Sequence, residues 1–152
     1  MNLPESPLIG SLGLTRLGPD SPHNFWALGE EFLKAAKIIT DKHPNEWNFP
    51  TYFLLCHALE LYLKSFLRSK EVSVEDLKNP TKFGHDLQCG FNLARSKGSA
   101  LIFTDELEQC VKDVSPTYKN RDFQYMHTGQ WTLPVLPHLL SLVEILSGKL
   151  KC

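Results

Sequence analysis

Apolar residues recur along this chain at helical spacing, in blocks separated by proline, glycine and asparagine. The first block (Phe25, Leu28, Phe32, Ala35, Ala36, Ile39) predicts a helix from Ser21 to about Lys42. Ser21 is its N-cap, Pro22 its first helical residue, and His43-Pro44-Asn45 its end. A second helix is expected from Asn48 to Ser69, and a short turn capped by Ser73 within Val72 to Asn79. A third starts around Gly84, with Asp86 placed for the helix dipole; it buries Leu87, Gly90, Phe91 and Ala94 and stops at Gly98. Thr104 caps a fourth, whose core face is Leu107, Cys110, Val111 and Val114 and which Pro116 ends. The last runs from about Pro134 or Pro137 to Gly148, with Leu136, Leu139, Leu140, Val143 and Leu146 on one side.

Two stretches break this pattern. Residues 1–20, with Pro4, Pro7, Pro19 and glycines among leucines, suit an irregular arm lying along the bundle or across a dimer. Between the last two helices, Arg121, Phe123, Tyr125 and His127 alternate with Asp122, Gln124 and Met126, which predicts a short β-hairpin or irregular insertion before the last helix. The expected fold is therefore all-α, an up-and-down bundle of about five helices, with one domain covering residues 21–150.

The second helix is unusual because it is apolar almost all the way round. Tyr52, Leu55, Leu59, Tyr62, Leu63 and Phe66 form its broad apolar face, and His57, Glu60, Lys64 and Arg68 a narrow polar stripe broken by Phe53, Leu54 and Leu61. Such a helix belongs inside a bundle or at an interface, where its polar side chains need protein partners. Alternatively the stripe is a solvated face, with Glu60 and Lys64 an i,i+4 pair worth about 0.2–0.5 kcal/mol. The apolar surplus suggests a homodimer.

Composition narrows the options. The 152 residues suit one domain, and a net charge of −1 with pI near 6.6 leaves nucleic-acid binding to a local cluster of Lys and Arg. Cys56, Cys89, Cys110 and Cys152 include no C-x-x-C; three lie in helical patterns and are expected to pack as small hydrophobes, reduced, which points to the cytoplasm. No leader-like or membrane-spanning run is apparent. Nucleophile, Walker and dinucleotide motifs are absent. His57-x-x-Glu60 near His85-Asp86 resembles a carboxylate metal site, but only one helix offers such a pair and in reversed order, so no metal or other cofactor is expected.

Three segments, HALELYLKSFL, KFGHDLQCGFNLA and YKNRDFQYMH, together resemble the HEPN superfamily over roughly residues 25 to 147. The resemblance implies a compact helical bundle, often dimeric, of the kind common in prokaryotic toxin–antitoxin and defence systems and in many members a metal-independent endoribonuclease. The family's signature, an Arg followed at four to six residues by a His, is met by Arg121 and His127 with five residues between them. It implies attack of the RNA 2′-hydroxyl on the neighbouring phosphate, with His127 moving protons, Arg121 bracing the phosphate, and Glu60, His85 and Tyr125 orienting them.

Geometry limits that reading. On a helix the two residues would be separated by a rise of about 9 Å; on a strand they would lie roughly 20 Å apart, too far to share a phosphate within one chain. A purely structural role is also expected for Arg121, tying Glu60 to the hairpin through a bidentate bond that Tyr125 completes. His57, His85 and His127 then become core, cap or turn residues. Lys64, Arg68, Lys82, Lys119 and Arg121 form either a phosphate-binding patch or ordinary surface. The function expected is a HEPN-like module that binds a nucleotide, RNA, or a protein partner such as an antitoxin through His57, Glu60, Lys64, His85, Asp86, Arg121 and Tyr125. The alternative is the endoribonuclease.

Overall fold

The computed structural model describes residues 20–125 and 129–151, and every regular element among them is helical. The expected arm, apart from Asp20, and His127 lie outside the described residues. The helices are α1 (Pro22–Lys42), α2 (Phe49–Ser69), α3 (Val74–Lys78), α4 (Leu87–Lys97), α5 (Asp105–Lys119) and α6 (Leu136–Lys149). Ser21, Asn48, Ser73, Asp86 and Thr104 each accept a backbone N–H from the first turn that follows, so local chemistry sets five of the six starts.

The centre of the fold is α2, which packs against α1, α4, α5 and α6. Leu55, Cys56, Ala58, Leu59, Tyr62, Leu63 and Leu67 are buried on every side of it. The apolar surplus that suggested a second copy is therefore covered within one chain. Gly29 of α1 lets the Tyr62 ring approach closely, since a Cβ there would lie 2.7 Å from it. The Tyr62 hydroxyl then donates to Glu30 at 2.6 Å, and the Ser147 hydroxyl of α6 donates to the same carboxylate oxygen. Cys56 and Cys110 are buried as expected, whereas Cys89 is exposed.

Two expectations about the region before the last helix need correction. Pro116 does not end α5, which continues through it to Lys119. A proline removes one helical hydrogen bond, but its φ suits a helix, and the buried stripe Leu107, Val111, Val114, Tyr118 continues past it. The hairpin is also absent: among the described residues there is no strand, and residues 120–125 form successive turns. Arg121 N–H donates to Tyr118 O and Asp122 N–H to Thr117 O, closing the helix, and Gln124 and Tyr125 N–H both donate to Arg121 O. These backbone groups are thus used locally. The alternation reflects a buried Phe123, stacked on Tyr52 at 5.7 Å, between exposed Arg121 and Tyr125.

Candidate functional site

Glu60, in the middle of α2, is 1% exposed, and each of its oxygens is engaged. Lys64, one turn later and also buried, donates to Oε1 at 2.5 Å. The Tyr118 hydroxyl donates to Oε2 at 2.5 Å, and His85 Nδ1 lies 3.1 Å from both oxygens. The stripe is therefore internal, and the solvated-face reading fails for Glu60 and Lys64. Burial pushes the Glu60 carboxyl up, but Lys64, Tyr118 and His85 outweigh it and hold the group below its ordinary range. Burial and the Glu60 charge push the Tyr118 phenol up, so it stays a donor.

The Tyr118 oxygen, its proton given to Glu60, accepts from His57 Nδ1 at 2.9 Å. His57 is clasped by Phe32, edge-on at 4.5 Å, and Phe53, stacked at 5.7 Å. Its pKa is lowered, by burial first and then by Lys64 and His85, against the opposing pull of Glu60.

The segment Phe83-Gly84-His85-Asp86 delivers the second imidazole. Phe83 is fully buried against Gly90 of α4, where a Cβ would fall 2.2 Å from its ring, and Lys64 Nζ sits 5.2 Å from the ring centroid. Burying this ring is worth about 1.5–3 kcal/mol, enough to pin the segment. Gly84 turns the chain at φ +53°, a conformation that side chains disfavour. Asp86 caps α4 through Cys89 N–H and pairs with Lys119 at 2.8 Å. Anchored on both sides, His85 reaches Glu60 while its side chain stays 64% exposed.

An open cleft of about 800 Å³ lies over this cluster. His57, His85, Asp86, Tyr118, Arg121 and Tyr125 line it, together with Lys78, Lys119 and the aromatic rings of Phe53 and Phe123. Among the described residues, no group of three or more His, Cys, Asp or Glu side chains is arranged to hold a metal ion, and no helix is long and apolar enough to cross a membrane.

The chain matches no family model, no curated protein and no solved structure.

Several expected residues thus meet, but not in the expected way. Tyr118, not Arg121, bonds Glu60, and Tyr125 is not among the carboxylate's partners. Arg121 stands instead at the cleft, with φ +62°, at the helix-closing position where glycine is usual. Of the expected basic patch, Lys119 and Arg121 line the cleft; Arg68 is spent on the carbonyls of Asp20 and Val72, and Lys82 on Asp76. Sequence reasoning missed Tyr118 and Lys78. The signal for Tyr118 was the spacing of its apolar stripe; nothing in the pattern marked Lys78.

Proposed function

We propose that the cleft binds a phosphate-bearing ligand, a nucleotide or single-stranded RNA, as a HEPN-like helical module would. One observation supports this above others: in a chain of net charge −1, Lys78, Lys119, Arg121 and an exposed His85 gather on one concave surface with the exposed ring of Tyr125. Cations that meet phosphate beside a ring that can stack on a base are what single-stranded nucleic acid requires. Asp86 neutralises Lys119, leaving Lys78 and Arg121 as the principal phosphate contacts.

The test is fluorescence anisotropy with a labelled single-stranded RNA. Wild type binds, more weakly as salt rises, and Arg121→Ala and Lys78→Ala each weaken binding several-fold. Absence of binding at low salt would overturn the reading.

The endoribonuclease using Arg121 and His127 is a second reading, favoured by the place of Arg121 at the cleft beside His85 and Lys119. Incubation with RNA in EDTA, beside Arg121→Ala and His127→Ala, tests it. Equal cleavage by all three proteins would remove both residues from the mechanism.

A further inference from the structure

Glu60 fixes the proton of two imidazoles at the cleft. His85 Nδ1 faces the carboxylate and must carry its proton there, so in the neutral ring Nε2 presents a lone pair. The Tyr118 hydroxyl is spent on the same carboxylate, so its oxygen accepts and His57 Nδ1 is the donor. In neutral His57, too, Nε2 is then a lone pair. Both rings line the cleft, and among the described residues no hydrogen bond is made to Nε2 of either.

Two imidazoles locked this way are poor partners for an internal phosphate of a nucleic acid. A phosphodiester offers only acceptors, which cannot bond to a lone pair until a proton is drawn from solvent. That step is disfavoured at His57 by burial first and then by Lys64 and His85, against the pull of Glu60. A phosphate monoester differs, because its second pKa of about 6 lies beside the value of about 6.5 for an ordinary imidazole, and it brings a proton of its own. A hydrogen bond then forms whether the proton sits on oxygen or nitrogen. The size of the cleft agrees: about 800 Å³ is the volume of a small-molecule pocket, which takes one end of a strand rather than its run.

We propose that the cleft selects a terminal phosphate monoester over a phosphodiester, with Nε2 of His57 and of His85 sharing the ligand's proton; this rests on the phosphate-binding reading. Lys78 and Arg121 meet the remaining charge of the phosphate. The groups bearing on His57 are Glu60 and Lys64 of α2, Tyr118 of α5 and His85, while α1 brings the uncharged ring of Phe32. Those around His85 are Glu60 and the Asp86–Lys119 pair. At higher pH the monoester is a dianion and both rings are neutral, so binding must take up a proton and weakens about tenfold per pH unit for each one.

Fluorescence anisotropy tests this with one internally labelled single-stranded RNA bearing a 5′-phosphate, a 3′-phosphate or neither, at pH 6, 7 and 8, with AMP as competitor. At pH 6 a terminal phosphate tightens binding at least about tenfold, and this advantage shrinks by pH 8. Either end supports the proposal and shows which terminus enters; displacement by AMP as effective as by the phosphorylated RNA makes the free nucleotide sufficient. His57→Asn and His85→Asn keep an N–H donor where Nδ1 stood and remove Nε2, and circular dichroism reports their folding. Each cuts the advantage at least about threefold. Should neither fold, the wild-type comparison across ends and pH decides alone. Equal affinity for the three RNAs overturns the proposal while phosphate binding stands. So does an advantage that does not fall with pH, or one unchanged in both folded variants. No binding of any RNA at low salt overturns both readings.

Discussion

Glu30 and Glu60 are each a carboxylate on a long helix packed into the same bundle, and the fold answers them with different chemistry. Glu30 receives two neutral hydroxyls, from Tyr62 and Ser147, and so fastens α1 to α2 and α6. It does not line the cleft. Glu60 is more deeply buried and receives an ammonium, a phenol and an imidazole, of which the last reaches solvent. Neutral donors satisfy a carboxylate without requiring it to communicate with anything else. A buried charge pair carries a desolvation cost that a stapling role does not need, which makes the Glu60 cluster the better candidate for function.

The largest effect separating the two should come from Glu60→Ala, which strands Lys64 as an uncompensated buried charge. A loss of about 3–5 kcal/mol in urea unfolding is expected. Adding Lys64→Met should recover at least half of it; no recovery would mean that the ammonium is not what the carboxylate supports. Glu30→Ala removes hydrogen bonds without stranding a charge, so about 1–3 kcal/mol should be lost, with RNA affinity within twofold of wild type. An affinity loss matching that of Arg121→Ala would erase the distinction between the two clusters.

A smaller change, opposite in sign, is expected from Arg121→Gly. Relief of the left-handed backbone should stabilise the fold by about 1 kcal/mol, seen as a higher Tm, while RNA binding weakens. A lower Tm would show that the arginine side chain supports the fold rather than the ligand.

The subtlest effect is on acid sensitivity. His57 is held below its ordinary value of 6.5, so its contribution is complete above that value and is lost as pH falls towards the folded one. Glu60 is held below 4.5, and its contribution is likewise complete above that value and lost as pH falls through the lower folded pKa. Stability should therefore decline in two stages on acidification. His57→Gln should flatten the first and Glu60→Gln the second in Tm measured from pH 7 to pH 3; an unchanged profile would show that neither group couples to folding.

Much of the helical framework was legible because its causes are local. Ser21, Asn48, Ser73, Asp86 and Thr104 announce helix starts by what their side chains do to the next turn, and the apolar girth of α2 announces its central position. The same local rules misled at Pro116, where a missing N–H was read as a helix end although the buried stripe ran on to Tyr118. They misled again after it, where alternation resembled a strand but came from turns around the buried Phe123.

Sequence alone determined that Glu60 and Lys64 share a face of a helix too apolar to sit in water. Only the tertiary structure decided what they meet, because Glu60 lies 25 residues from His85 and 58 from Tyr118 along the chain. Several nearby side chains could satisfy a buried carboxylate equally well by chemistry. Which of them does so depends on how α5 and the turn around Gly84 pack onto α2, and that packing is set by the whole core rather than by any local pattern.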